Sequence, residues 1–377
     1  MIRIVSRTEL SGATENMLRV GAVLAALAAS MIVIAGIGYN PFAVYGRIIA
    51  GSLGTFYRFK ETVNKAIPLT VLSLGIAVAF RMKFWNIGAE GQFCLGAYGA
   101  ALAAFSFPHL PAPLLLSLMF AAGFVFGGLW ALIPAFLKTR FAASETLVTL
   151  MLNYVGIKWI AYLQYGPWKD PAASGFPKIA TFSKNAILPS VFGIHMGWIV
   201  ALLLAGALYL VFKKSKLGYE IDVLGESEQT ARYAGMNVTR IMLVSVLLSG
   251  GLCGIAGMMQ ASAVEHSLSD QMSGGLGFTA VITTWLAKLS PPVIVAVSFL
   301  FSLLIQGGNF LQTALKIPSA VSSILQGIII FFVLGSEFFI RYRFVWVRNR
   351  PSSGLPKPPP SLFLYLSIPL SVLYCRP

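Results

Sequence analysis

Residues 114–136 read LLLSLMFAAGFVFGGLWALIPAF, twenty-three positions without an ionisable side chain. A helix needs about 20 apolar residues to cross the hydrocarbon core of a bilayer, and this run is long enough. Nine further apolar runs flank it, at roughly 20–37, 66–80, 93–107, 147–162, 196–212, 241–258, 277–287, 292–306 and 318–337. The expected fold is therefore all-α, a polytopic transmembrane helix bundle of about ten spans. The composition agrees. The chain is 57% hydrophobic and 11% charged, whereas a soluble domain carries about 25% charged residues.

A net charge of +15 would suggest nucleic acid in a soluble protein. Here Lys and Arg gather at the ends of the apolar runs, as the positive-inside rule expects, so no nucleic-acid partner is inferred. With the N-terminus inside, nineteen of the 28 basic residues fall in inside segments and eight in outside segments. That bias predicts an inner-membrane, multi-pass chain with both termini in the cytoplasm. The run Val20–Ile37 follows Arg3, Arg7 and Arg19. It is longer than the apolar part of a signal peptide and is read as a retained first span. Outside, Asn40–Lys65 mixes four cations with Tyr45, Ile48, Ile49 and Phe56, which suits a segment lying in the interface. Gln164–His195 carries four prolines and reads as an irregular surface loop.

Two spans are short and bordered by glycine or polar residues. Span two leads into Asn86-Ile87-Gly88-Ala89-Glu90-Gly91-Gln92, and span eight starts after Gly274, Gly275 and Gly277. Interrupted segments at matching positions of two halves point to a site near the midplane. Spans two to five start outside and spans seven to ten inside, the order of inverted four-span repeats. Glu90 is the most informative residue, because a carboxylate at membrane depth is costly. With Asn86 and Gln92 it shapes the inner gate or passage, or it lies at the interface and pairs with Arg81 or Lys83; the sequence leaves both open. In ETLVTLMLNY, 145–154, helical spacing aligns Thr146, Thr149 and Asn153. They either face a hydroxyl-rich solute or bond helix to helix. The glycine pairs Gly123–Gly127 and Gly250–Gly254 predict close helix crossings.

The absences also exclude. No G-x-x-x-x-G-K-[ST] loop, HExxH, GxSxG or spaced Cys/His set occurs. The chain is thus expected to have no ATPase site, catalytic residue, metal or cofactor of its own. Cys94 and Cys253 lie in apolar runs and act as small hydrophobes. His109, His195 and His266 lie in outer loops, which argues against a histidine proton relay.

Phe84-Trp85-Asn86-Ile87-Gly88-Ala89-Glu90-Gly91-Gln92 resembles the FNIGAEGQ signature of bacterial simple-sugar/nucleoside ABC permeases, in the branched-chain amino acid/ribose-type superfamily. Residues 145–154, 231–260, 275–292 and 317–344 resemble further segments of that family, and the likeness runs from about residue 15 to 344. Trp85, the acidic stretch Asp222–Glu228 and the tail depart from the pattern. The resemblance implies an importer for a nucleoside or simple sugar. Its expected partners are a cytoplasmic ABC ATPase, a second and often unlike permease, an extracytoplasmic solute-binding lipoprotein and the lipid bilayer.

A permease without a nucleotide site must receive force from its ATPase. The inside loop 213–240 is long, and Ser227–Ala234 favours a short helix capped by Ser227 and stopped by Gly235. Gly225, Ala231, Ala234 and Gly235 are its candidate coupling residues, and Asn86, Glu90, Gln92 and Asn153 the candidate pathway residues. The expected domains are a permease domain, 1–344, and a Pro-rich tail, 345–377, of unassigned role. The rival reading, an ion-coupled secondary transporter of a small polar solute, needs buried acids, and Glu90 is the one acid near a span interior.

Overall fold

The computed structural model describes residues 2–6, 12–171, 173, 175, 177–315, 324, 327–328, 331–332, 335–336 and 342–346. These divide between two units, one within Met1–Val20 and Gly335–Pro377, the other within Gly21–Leu334. In the first unit, strands Ile2–Ser6 and Tyr342–Trp346 pair antiparallel, with Ile4 opposite Phe344. The expected span at 318–337 and the tail beyond 346 lie largely or wholly outside the described residues.

The helices are α1 (Gly12–Gly36), α2 (Pro41–Leu53), α3 (Phe56–Arg81), α4 (Ala89–Ser106), α5 (Ala112–Phe141), α6 (Glu145–Tyr165) and α7 (Gly197–Lys214). They continue as α8 (Lys216–Glu226), α9 (Glu228–Tyr233), α10 (Val238–Met259), α11 (Leu276–Leu286) and α12 (Pro291–Leu315). Among the described residues six helices are long and apolar enough to cross a membrane: α3, α5, α6, α7, α10 with its extension to Glu265, and α12. The apolar part of α1 and α2 make a further pair, bent by 113°. Of the other expected spans, α4 starts with Glu90 and Gln92 in its first turn, and α11 has only eleven residues.

Burial separates centre from periphery. In α3 and α10, 83% and 72% of the spanning window is buried, against 28% in α5, α6 and α7. A helix apolar on all sides belongs at the centre of a bundle, and α3 and α10 take that place. Small residues let α10 sit there. A Cβ at Gly254 would fall on the Gly123 carbonyl oxygen and lie 3.0 Å from the Gly127 Cα, so α5 and α10 touch backbone to backbone. The two expected glycine pairs therefore meet each other.

The segment expected to lie in the interface is helical. Asn40 caps α2 by accepting from the Phe42 and Ala43 amides, at 3.0 and 3.3 Å. Thr55 then caps α3, which takes in Arg58, Lys60, Glu61 and Lys65 ahead of the expected start at 66. Partners offset the cost of those charges. Arg58 donates to the Ala50 carbonyl at 2.9 Å and lies 4.1 Å over the Phe310 ring.

The described residues of the loop expected to lie outside are held by specific bonds. A two-residue hairpin pairs Ser190–Val191 with Ile194–His195. After α10 the chain makes a π-turn, Gln260–Glu265, and the loop is pinned to it. The Leu188 amide donates to Ser262 Oγ (3.0 Å), and the Phe182 amide to the His266 carbonyl (2.9 Å). Gln164 Oε1 accepts from the Asp270 amide (3.0 Å), tying the end of α6 to the approach to α11.

Candidate functional site

Two helices begin inside the bundle without a side chain of their own to cap them. The residue before α4 is Gly88, and the one before α11 is Gly275, which sits at φ +79°. The first N–H groups of any helix lack intrahelical acceptors, and burying them unsatisfied is costly. Side chains outside each helix's own cap position accept from several of these groups.

Glu90, only 2% exposed, serves α11. Its carboxylate accepts from the Gly275 amide at 3.0 Å and the Gly277 amide at 2.5 Å. Its own position in the first turn of α4 sets the carboxylate among the positive ends of two helices. A Cβ at Gly277 would lie 2.5 Å from the Glu90 amide nitrogen, so glycine is what lets the two helix starts meet. Asn153 and Asn86 serve α4. Asn153 Oδ1 accepts from the Gly91 amide (2.8 Å) while its Nδ2 donates to the Ile87 carbonyl (2.8 Å). Asn86 Oδ1 accepts from the Gly88 amide (3.1 Å) and from Gln92 Nε2 (2.8 Å). Its Nδ2 donates to Ser249 Oγ (3.1 Å), halfway along α10. The break thus lies deep in the bundle.

All four candidate pathway residues are brought together here, and all are buried. Thr149 joins them by packing against Gly88, while Thr146 is less buried. The pairing of Glu90 with Arg81 or Lys83, one of the two readings left open, is not what forms. Arg81 bonds instead to Asp222, at 3.1 Å. What sequence reasoning missed is the capping in trans. Its signal was present: two helix starts with glycine at the cap position and a lone acid nearby.

The connection between α7 and α10 folds as two short helices. Ser227 ends α8 and caps α9, accepting from the Thr230 amide at 3.2 Å. Gly235 stands at φ +75°, and the Met236 amide returns to the Ala231 carbonyl at 3.0 Å, closing α9 as a glycine C-cap does. The candidate coupling residues divide. Ala231 is 0% exposed and faces the bundle. Gly225 is buried too, and a Cβ there would strike the Arg81 carbonyl oxygen. Ala234 and Gly235 are exposed, beside Tyr233 at 96% exposure. A polar cleft of about 620 Å³ lies between α9, the start of α10 and the α5–α6 turn. Its walls include Arg140, Glu228 and Arg232.

The family model described as branched-chain amino acid transport system / permease component matches residues 58–334, which hold the break and the α8–α9 connection. The chain belongs to this family. It is 32% identical to the glucose ABC transporter permease protein TsgB13 of Haloferax volcanii, over 89% of this chain and 91% of that one. It is 31% identical to the guanosine ABC transporter permease protein NupP of Bacillus subtilis, over 85% and 93%. It is 28% identical to the nucleoside ABC transporter permease protein NupB of Lactococcus lactis, over 80% and 86%. The protein is an ABC transporter permease, a multi-pass membrane subunit that works with an ATPase, as the family implies. Ion-coupled secondary transport, the rival reading, does not describe this family.

Proposed function

We propose that this permease carries an uncharged, hydroxyl-rich solute, a nucleoside or a simple sugar, inward across a bacterial inner membrane. Both termini lie in the cytoplasm, and a separate ATPase hydrolyses the ATP. A second permease, unlike this one, completes the passage, and a lipoprotein delivers the solute. Residues 1–344 form the permease domain, with 213–240 as the coupling loop, and 345–377 are a tail without an assigned role.

The observation that carries the reading is the Glu90-centred break, in a chain whose relatives are named for guanosine, nucleosides and glucose. Half-helix N-termini inside transporters commonly bind an anionic group of the substrate. Here the protein's own carboxylate takes that place, so the break has no positive end to offer an anionic solute. Asn86, Gln92 and Asn153 hold the break and act on the pathway through it. The ATPase meets the exposed side of α9 at Tyr233, Ala234 and Gly235, while Ala231 and Gly225 seat the segment on the bundle.

Vesicles containing the chain, its partner permease, ATPase and lipoprotein would be offered radiolabelled guanosine and glucose. ATP-dependent uptake of either supports the reading. Uptake that persists without ATP and follows a proton or sodium gradient overturns it. For the docking surface, Tyr233→Ala is expected to keep the chain in the membrane and reduce co-purification of the ATPase. Unchanged association and unchanged stimulated hydrolysis would remove α9 from the coupling role.

A further inference from the structure

The last residue of α3 holds two neighbouring elements at once. Arg81 Nε lies 3.1 Å from Asp222 Oδ1 on α8. The same guanidinium stands 4.1 Å over the Phe212 ring of α7. Gly225 brings the α8 backbone onto the Arg81 carbonyl, so α8 is seated directly on the end of α3. Ser227 alone separates α8 from α9, and it bonds to both: its amide to Val223 (3.0 Å), its hydroxyl to Thr230 (3.2 Å). A displacement of α9 is therefore handed to α8, and from α8 to Arg81.

On the other side of Arg81 the chain leads straight to the break. Lys83 turns it at φ +57°, and the Phe84 amide bonds back to the Ala79 carbonyl (3.1 Å). Trp85 stacks on Trp285 near the end of α11, with ring centroids 5.5 Å apart and planes at 30°. Phe80 contacts both rings, at 5.6 and 5.7 Å. Glu90 holds the other end of α11 through Gly275 and Gly277. The segment from Phe80 to Glu90 thus grips α11 at both ends.

We infer that Arg81 and Asp222 are positioning residues that transmit movement of the α8–α9 segment to the paired helix break. This rests on the reading that α9 meets the ATPase. The side chains of the pair are 28% and 45% exposed, and such pairs add little to stability. Removing the charge should spare the fold and change the transmission. The contact also explains why Gly225 is needed: any side chain there would lift α8 off the end of α3.

The test uses the full complex with its ATPase, and whichever of guanosine and glucose the wild type takes up. Solute taken up per ATP hydrolysed is measured for Asp222→Asn, Asp222→Glu, Arg81→Gln and Arg81→Lys. Asp222→Asn and Arg81→Gln are expected to lower that ratio about fivefold, the shift that loss of one half-exposed ion pair can produce. Membrane abundance and ATPase co-purification stay at wild-type level. Asp222→Glu and Arg81→Lys keep the charges and retain more than about half of the ratio. A wild-type ratio in Asp222→Asn overturns the inference. So does loss of ATPase association in that variant, because Asp222 would then belong to the docking surface. A fall in Asp222→Glu as deep as in Asp222→Asn also overturns it, since the charge would not be what transmits. Failure of the underlying reading looks different: the unsubstituted chain would neither bind an ATPase nor take up solute with ATP.

Discussion

Glu90→Gln changes one heavy atom in a buried polar contact. The carboxylate accepts from two backbone amides at the start of α11. A glutamine oxygen can accept from one of them. Its NH₂ group then faces the second amide donor to donor and leaves that N–H without an acceptor. Such a loss costs about 1–3 kcal/mol in a buried site. Removing the negative charge forfeits an interaction with two helix N-termini, worth up to ~2 kcal/mol in partly buried geometry. A neutral amide is cheaper to bury than a carboxylate, which offsets part of this. The net loss is about 2 kcal/mol, or roughly 30-fold in the equilibrium constant for joining α4 and α11. The rest of the bundle, packed backbone to backbone at Gly123, Gly127 and Gly254, does not depend on that contact. Uptake per molecule should therefore fall by about an order of magnitude while membrane abundance changes by less than about twofold. Labelled guanosine or glucose uptake into vesicles, normalised to the amount of chain by immunoblot, makes the comparison. Glu90→Asp keeps the charge but shortens the reach, and should fall between the two. Uptake per molecule equal to wild type would refute the reasoning, as would a loss that merely follows abundance.

Gly254→Ala places a methyl on the Gly123 carbonyl oxygen, where no side chain can rotate away. It should destabilise the chain by about 1–3 kcal/mol, read as a lower melting temperature in detergent; Gly206→Ala, with open space around it, should leave that temperature unchanged. Burial holds the His195 imidazole below its ordinary value, opposed by its contact with the Asn64 carbonyl at 3.3 Å. A histidine kept neutral by folding contributes stability that is full above about pH 6.5 and is lost as pH falls below it. Melting at pH 8 and pH 5.5 should therefore differ more in the wild type than in His195→Gln, and equal differences would discard the role of this residue. On a cysteine-free background, an impermeant maleimide should label Phe192→Cys from outside intact cells, and Tyr233→Cys only after permeabilisation. Both side chains are exposed, at 84% and 96%; the opposite pattern would reverse the orientation.

Much of the architecture was legible in the residues themselves. An apolar run such as 114–136 becomes a spanning helix because backbone groups in lipid must bond within their own segment. That requirement is local, so order along the chain suffices to read it. The ends of α9 were equally local: Ser227 caps and Gly235 stops, each acting within a few residues. The glycine spacings at 123–127 and 250–254 announced close crossings, though not which helices would cross.

Tertiary structure alone decided the partners. Glu90 finds its donors 185 and 187 residues away, and Asn86 its Ser249 partner 163 away. Arg81, close to Glu90 along the chain, turns to Asp222. Ala231 was expected, with Ala234, to let the short helix lie close to the ATPase; its side chain is instead buried against the bundle. The physical reason is common to all of these. Intrahelical bonds fix a helix within four residues, whereas the side chain that fills a buried polar vacancy depends on how helices are rotated and tilted. Those angles are set by where backbones can touch, at Gly123, Gly127, Gly254 and Gly277, and they come into being only when the helices pack.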